Sequence, residues 1–399
     1  MTNRASAQAR TVGADRFRCN LFFLGGGVGV GAWAACLPVI SEYHQLSRGE
    51  LGVVLLFFAL GAIAMMVNVW RLAIRYSYGT LSLFGALTFG LALLCVPHVS
   101  GVVWLATAVF IAGAGFGTLD VSMNTSASGL ERSAGRHLMS SFHAMFSFGN
   151  LAGAFAVGQI LSHGGGLSVC LTVTGVGVVA LALAAGIGAS APVEHAASRV
   201  ERAPPGMLDR AQKAYIYLLG SIAFLALLAE GGLMDWSAIY IVSTFEEADS
   251  VGAYGFAIFA TMMAMGRLFG DAISTRIGST RLLFCCALVC AASVALLLAA
   301  GTVMLVFLAL AICGLGVANV VPAIFASAGR SGGAAAGRAM SIVTTMGYAG
   351  LLLGPALLGF VAQLSSLVAS FCLIGLAFLV IAAAVRRLRE PGSGASPPA

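Results

Sequence analysis

Residues 282–300 read LLFCCALVCAASVALLLAA and contain no charged side chain. A helix needs about 20 apolar residues to cross the hydrocarbon core of a bilayer, and this stretch supplies them. A helix that is apolar on every side has no face to present to water. The stretch therefore predicts a transmembrane helix.

Further stretches have the same character, and together they exclude most classes of function. Hydrophobic residues make up 59% of the 399-residue chain and charged residues 9%, whereas soluble domains carry about 25% charged residues. The composition excludes a soluble enzyme, a nucleic-acid-binding protein and a single-pass receptor. The predicted fold class is all-α integral membrane, with twelve transmembrane helices. We expect these helices at residues 18–41, 50–72, 80–97, 101–127, 139–162, 167–189, 214–243, 252–273, 282–300, 302–327, 339–363 and 366–385.

The positive charges are distributed unevenly between the two ends of these helices. If the N-terminus is cytoplasmic, every one of the 21 Lys and Arg residues except Arg48 lies on the cytoplasmic side. Cytoplasmic loops of membrane proteins carry an excess of Lys and Arg. We therefore expect both termini in the cytoplasm, which is the N-in/C-in topology. A cleaved signal peptide is not expected, because the first apolar run is too long for one.

The chain divides into two similar halves. Trp33 recurs as Trp236, and a Gly-Arg pair at 135–136 recurs at 337–338. Duplicated six-helix bundles are typical of transporters whose halves rock about a central site. The predicted parts are a cytoplasmic tail at 1–17, an N-terminal six-helix bundle at 18–189, a cytoplasmic linker at 190–213, a C-terminal six-helix bundle at 214–387 and a disordered tail at 388–399.

Six plus six spans with a long central loop resemble the major facilitator superfamily. Its signature is a Gly-rich Asp-Arg-x-Gly-Arg segment after the second and eighth spans. Degraded copies are present here, with Arg75 in one half and Asp271 and Arg276 in the other. The segments GFGTLDVSMN at 115–124 and GRHLMSSFH at 135–143 are similar to a bacterial branch of the superfamily. That branch is often labelled rhizopine-transport-related and lies near the fucose-permease-like sugar transporters.

The resemblance implies a secondary active transporter that moves a small organic solute across the bacterial inner membrane by alternating access. We expect proton-coupled symport of a polar, sugar- or polyol-like solute. The alternatives are a proton-driven exporter of drugs or metabolites, and a sensor or lipid-handling protein that moves no solute. No enzymatic activity, catalytic residue, cofactor or metal site is expected. The expected partners are the solute, the proton and membrane lipid, without nucleic acid, and the chain is expected to be a monomer.

Two carboxylates of the seventh span are the predicted proton-coupling residues. Glu230 lies near the midpoint of the membrane, and no Arg or Lys occurs at the same depth in the predicted spans. A charged carboxylate costs about 3 kcal/mol there on insertion scales, so it takes up a proton readily. The alternative is a protonated glutamate that hydrogen bonds to a neighbouring helix. Asp235 faces another side of the helix, where it contacts the solute or lines the periplasmic mouth of the cavity.

Polar and aromatic residues elsewhere predict a substrate cavity. The fifth span carries a polar face, and a polar face in lipid must look inward. This face forms either a cavity wall or a packed hydrogen-bond network. The two tryptophans of the repeat either stack on the solute or anchor their helices near the membrane surface. The predicted cavity residues are Trp33, His143, Ser147, Asn150, Glu230, Trp236, Asn319 and Tyr348.

The resemblance also predicts a cytoplasmic gate. Members of the superfamily often pair an aspartate low on the fourth span with the loop arginine after the second span. Asp120 and Arg75 occupy those positions, and Asn124 lies on the same stripe as Asp120. Asp271 and Arg276 are the corresponding gate residues of the second half. The alternatives for Asp120 are direct contact with the proton or solute, and static packing.

Overall fold

The computed structural model of the chain describes residues 2–134, 138–186, 209–332 and 336–388. Within these ranges the regular structure is helical, without strands. The helices are α1 (Thr2–Tyr43), α2 (Arg48–Met66), α3 (Val69–Leu72), α4 (Tyr78–Cys95), α5 (Val102–Ala134), α6 (Met139–Ser162), α7 (Leu167–Gly186), α8 (Arg210–Phe245), α9 (Asp249–Ile277), α10 (Ser279–Ala299), α11 (Val303–Val317), α12 (Val320–Gly332), α13 (Ala336–Leu364) and α14 (Leu367–Val385).

Twelve helical stretches are long and apolar enough to cross a membrane, which confirms the predicted fold class. Each lies on one of the predicted apolar runs. The tenth, Val303–Phe325, is made of α11 and the beginning of α12. The short helix α3 lies between the second and third spans.

Two predicted spans differ in detail from the helices that form. The second was expected to continue to residue 72, but α2 ends at Met66. The side-chain amide of Asn68 donates to the Ala64 carbonyl at 2.7 Å, and the chain then turns into α3. The tenth span was expected as one helix, but it is interrupted at residues 318–319. Hydropathy detects neither interruption, because the residues on both sides are apolar.

Capping residues stabilise the short turns between the helices. Ser47 and Glu50 form a capping box at the start of α2. The Ser47 N–H donates to the Glu50 carboxylate at 2.8 Å, and the Glu50 N–H donates to the Ser47 hydroxyl at 3.2 Å. These bonds satisfy N–H groups that the helix itself leaves without partners. Between α9 and α10, Gly278 has a φ of +85°, a left-handed conformation that glycine adopts without strain.

The helices cluster into two units, and the first consists of residues 1–200 with 246–257. Within it, α1 and α6 are in backbone contact. A methyl group at Gly31 of α1 would overlap the backbone carbonyl of Asn150, and one at Gly153 of α6 would overlap that of Val28. Small residues permit this close approach, and van der Waals packing then holds the two helices together in lipid.

The second unit consists of residues 201–245 and 258–399, and it contains an equivalent contact between α8 and α13. A methyl group at Gly350 would overlap the carbonyl of Phe224, and one at Gly354 would lie 2.7 Å from the carbonyl of Leu228. In both units the first span packs against a Gly-x-x-x-Gly pair of the fifth, which is Gly149 and Gly153 on α6 in the first unit and Gly350 and Gly354 on α13 in the second.

Candidate functional site

A buried carboxylate and an arginine meet inside the second unit. Glu230 on α8 is 6% exposed, and its Oε1 lies 3.4 Å from Nη2 of Arg267 on α9. The same nitrogen lies 3.6 Å from the thioether sulfur of Met263, one turn earlier on α9. The two charged groups form an ion pair in apolar surroundings, where their attraction is stronger than in water.

This pair corrects the prediction that Glu230 has no counter-charge. Counting along the sequence assigned Arg267 to the cytoplasmic end of the eighth span. An arginine carries its charge at the end of a long apolar stem, so the guanidinium lies well away from its own backbone. The depth of the Arg267 charge in the membrane therefore differs from the depth of its α-carbon, which is all that the sequence position indicates. Arg267 is the candidate site residue that the sequence analysis missed.

Arg267 retains capacity for further hydrogen bonds. A guanidinium carries five N–H donors, and in the described part of the chain only Nη2 contacts acceptors, namely Glu230 and Met263. The side chain of Arg267 is 34% exposed, compared with 8% for Glu230. The remaining donors are able to bind a polar or anionic group from outside the pair.

Asn319 holds α9 beside this pair. It lies in the break between α11 and α12, and its side-chain amide donates to the carbonyl of Gly266 at 3.0 Å. Gly266 directly precedes Arg267. A methyl group at Gly270 would overlap the side-chain oxygen of Asn319. The predicted cavity residue Asn319 is thus buried and positions the backbone that carries Arg267.

Asp235 is half-buried on α8, five residues after Glu230. It makes no hydrogen bond or ion pair with any residue in the described ranges, so the structure gives a cation partner to Glu230 but not to Asp235. The described residues also contain no group of three or more His, Cys, Asp and Glu side chains that could hold a metal ion.

The predicted polar face of α6 does not form one continuous surface. His143 is exposed, and its ring forms a T-shaped contact with that of Phe23, with ring centroids 5.5 Å apart. Ser147 and Asn150 are buried, and the backbone of Asn150 lies against Gly31 of α1. The Asn150 side-chain oxygen is buried without a hydrogen-bond partner among the described residues. Helix packing therefore accounts for the burial of this face but leaves one acceptor unused.

The two tryptophans of the repeat both contact protein. Trp236 is fully buried, and its indole N–H donates to the carbonyl of Pro355 on α13 at 2.9 Å. Trp33 is 4% exposed and stacks on Phe58 at a ring-centroid distance of 5.9 Å. Neither ring presents an open face to a solute in this structure. Tyr348, the remaining predicted cavity residue, is half-buried on α13.

The structure does not bring the predicted gate residues together. The Asp120 carboxylate accepts a hydrogen bond of 3.1 Å from the amide of Asn124, one turn along α5. Arg75 is exposed in the turn after α3, and the ion pairs of the described residues do not include Arg75 with Asp120. In this structure Asp120 thus bonds within α5, and the latch between Asp120 and Arg75 stays a prediction. Arg276 is exposed near the end of α9, and the side chain of Asp271 lies outside what the structure describes.

Comparison with known proteins agrees with this architecture. The family model of the Major Facilitator Superfamily matches residues 20–335 and 219–399. An uncharacterized MFS-type transporter of Yersinia pestis is 31% identical over 391 residues, covering 97% of this chain and 99% of that protein. The membrane protein MosC of Rhizobium meliloti is 28% identical over 345 residues, covering 86% of this chain and 82% of MosC. The crystal structure of the nucleoside transporter NupG matches with a TM-score of 0.75 at 14% identity, covering 94% of this chain and 98% of NupG.

Proposed function

Because the chain belongs to the Major Facilitator Superfamily, we propose that it is a secondary active transporter that carries a small polar solute together with a proton. The chain is a multi-pass protein of the bacterial inner membrane. Its sequence contains no nucleotide-binding Gly-x-x-x-x-Gly-Lys segment, so an ion gradient supplies the energy for accumulation. The observation that carries the proposal is the ion pair of Glu230 and Arg267.

The ion pair links proton binding to solute binding. While Glu230 is ionised, it neutralises Arg267, and the pair has no net charge. When Glu230 takes up a proton, Arg267 loses its counter-charge and its N–H groups become available to an oxygen atom of the solute. A guanidinium without a partner in apolar surroundings is costly, so the proton and the solute bind together. Departure of the solute favours re-formation of the ion pair and release of the proton.

The donors of Arg267 suit a sugar- or polyol-like solute, whose oxygen atoms accept hydrogen bonds. The fold neighbour NupG is named as a nucleoside transporter, and a nucleoside also carries a hydroxylated sugar ring. Asp235, which has no partner among the described residues, is the second proton-coupling candidate in this proposal. Arg267 joins Glu230 as a residue that contacts the solute.

Export of drugs or metabolites is the alternative direction of transport. Exporters of this superfamily carry a Gly-Pro element in the fifth span, whereas the similar Gly354-Pro355 of this chain lies on α13, the eleventh span. Gly354 packs against the α8 backbone, and the Pro355 carbonyl accepts the hydrogen bond of Trp236. Both residues thus have packing roles, and the element does not favour export.

We propose the N-in/C-in topology, with bundles at 18–189 and 214–387 that alternate access to the solute site. Support comes from the positive charges, since only Arg48 falls on the side opposite the N-terminus. The proposed linker at 190–213 lies mostly outside the described residues. A reporter fused after Arg389 should read as cytoplasmic, and one inserted at 246–249 as periplasmic. The reverse readings would contradict this topology.

The transport proposal is tested in two steps. A thermal-shift screen of the purified protein against sugars, polyols and nucleosides identifies a solute that raises the melting temperature. The protein is then reconstituted into proteoliposomes. Accumulation of that solute is measured with and without an imposed pH difference across the membrane. The proposal expects accumulation only with the pH difference. Accumulation that is independent of every ion gradient would contradict proton coupling.

A further inference from the structure

The ion pair of Glu230 and Arg267 engages the guanidinium only in part. The contact runs through one nitrogen, Nη2, at 3.4 Å, whereas charge-assisted hydrogen bonds from nitrogen to oxygen measure about 2.7–2.9 Å. Among the described residues, the second contact of that nitrogen is the Met263 sulfur, which carries no charge and accepts hydrogen bonds weakly. A guanidinium binds a carboxylate most strongly through two parallel N–H groups. Arg267 therefore retains the donors that a second carboxylate requires.

Within the described part of the second unit, Glu230 is the carboxylate that pairs with Arg267. Residues 272–389 contain no Asp or Glu, so α10 to α14 supply no carboxylate. Asp271 lies one turn after Arg267 on α9, whereas the guanidinium reaches back to Met263, one turn before it. The backbones of Met263 and Asp271 are about 12 Å apart along the helix, at a rise of about 1.5 Å per residue. Glu230 is thus the counter-charge that Arg267 loses when a proton binds.

Protonation of Glu230 changes the net charge of the pair. The pair is neutral while Glu230 is ionised, and it carries one positive charge once Glu230 is protonated. Cys290 of α10 lies close enough to interact with Glu230 electrostatically, but a thiol is uncharged at pH 7. A buried charge that has lost its partner is strongly destabilising, because nothing compensates it in apolar surroundings. A neutral sugar leaves this charge in place, whereas an anionic solute cancels it.

We propose that the solute is a sugar acid, a polyol-like molecule with one carboxylate, which binds Arg267 through two parallel N–H groups when Glu230 is protonated. This inference rests on the proposed function of the same ion pair and names its substrate class. One carboxylate replaces another, so the site has no net charge in either state. A phosphate monoester carries about −1.5 to −2 charges at pH 7 and would overcompensate the arginine. The proton and the sugar acid together carry no net charge, so each transport cycle is electroneutral.

Binding to the purified full-length chain tests the substrate class. The probes are gluconate, glucitol and glucamine, which share one hydroxylated carbon chain and end in a carboxylate, a hydroxyl group and an amine. Galactonate and galactitol repeat the comparison on a second sugar. In at least one of the two series we expect the acid to bind about ten-fold more tightly than its alcohol, because hydrogen bonds to charged groups are the stronger ones. Equal binding of acid and alcohol in both series, or tighter binding of the amine, would overturn the sugar acid.

Variants of Arg267 test whether the guanidinium causes this preference. Arg267→Gln should bind the acid and its alcohol alike. Arg267→Lys should retain part of the preference, because lysine keeps the charge but lacks the planar fork of donors. Arg281→Gln removes an exposed arginine at the start of α10 and is the matched control, which should keep the full preference. A full preference in Arg267→Gln would overturn the proposal. If Arg267→Gln does not fold, an undiminished preference in Arg267→Lys overturns it instead.

Uptake into proteoliposomes separates this inference from the proposed function. An imposed pH difference should drive accumulation of the preferred acid beyond that in liposomes without protein. A potassium diffusion potential, set with valinomycin, should leave the rate of uptake unchanged because the cycle is electroneutral. Uptake of a neutral polyol that is driven by the pH difference and accelerated by an inside-negative potential would overturn the sugar acid but support proton-coupled transport. If the pH difference drives accumulation of none of the probes, both the sugar acid and the proposed function are contradicted.

Discussion

Nη2 of Arg267 lies 3.4 Å from Oε1 of Glu230 and joins α9 to α8 through a charged contact within the second unit. The side chain of Glu230 is buried and that of Arg267 is one-third exposed. Glu230 is thus shielded from solvent, while Arg267 remains accessible to a ligand. A proton that reaches the carboxylate changes the charge available to that ligand, which is the basis of the proposed coupling.

The first prediction concerns the energetic link between these two residues. Glu230→Gln and Arg267→Gln should each lower thermal stability, because each leaves the other group without its partner. The double variant should recover part of the loss, with a coupling energy of about 1–3 kcal/mol. The melting temperatures of the four proteins in one detergent measure this cycle. Strictly additive losses would show that the two side chains do not interact.

The second prediction concerns transport by Glu230→Gln. Glutamine imitates the protonated carboxyl group, so the variant should still bind the solute and exchange it across the membrane. It should lose pH-driven accumulation, because no proton can leave the site when the solute departs. Glu247→Gln, in an exposed loop, is the control and should accumulate like the unaltered protein. Full pH-driven accumulation by Glu230→Gln would transfer the coupling role to Asp235.

The third prediction tests the role of Trp236. Trp236→Phe keeps an aromatic ring but removes the N–H that donates to the Pro355 carbonyl. We expect a loss of stability of about 1 kcal/mol, with solute affinity unchanged. Thermal unfolding and ligand titration of the same preparation separate the two effects. A tenfold loss of affinity at unchanged stability would instead support direct stacking of the indole on the solute.

The fourth prediction concerns helix contact in the first unit. Gly31→Ala should strongly reduce the yield of folded protein, because the added methyl group would overlap the Asn150 carbonyl. Gly177→Ala on α7 is the matched control, since a methyl group there meets nothing within 4 Å. Size-exclusion chromatography in detergent measures the folded fraction of both. Equal folded yields would mean that α1 and α6 separate without cost.

The fifth prediction concerns pH and His44, which lies between the first two spans. Burial lowers the pKa of His44 below its ordinary value of 6.5, and a hydrogen bond to the backbone of Val96 acts in the opposite direction. Its Nε2 is buried without a partner among the described residues. The folded protein thus favours the neutral ring, so this stabilisation is present above about pH 6.5 and is lost as the pH falls through the lowered pKa.

Between pH 7 and pH 5, the melting temperature of the unaltered protein should therefore fall more than that of His44→Gln. His98→Gln, an exposed neighbour in the next loop on the same side, is the control and should follow the unaltered protein. If His44→Gln retains the full decrease, another group is responsible for it.

The spans were predictable from sequence because transmembrane helices require long apolar runs, and stretches such as 282–300 have no other stable environment. The partner of Glu230 was not predictable from sequence. The position of Arg267 along the chain reports the depth of its backbone but not the depth of its guanidinium. The contact of Asp120 with Asn124 was also missed, since the family pattern directed attention to Arg75. The contacts between polar residues depend on how each helix is rotated about its own axis. Hydropathy does not encode this rotation.

The interruption at Asn319 has a mechanical consequence. It divides the tenth span into two short rods, α11 and α12, with the asparagine at the joint between them. The side chain at this joint holds the carbonyl of Gly266, one residue from Arg267. A change in the angle between the rods would therefore displace the α9 backbone next to the guanidinium. It would alter the separation of the charge pair, because Glu230 lies on a different helix, α8.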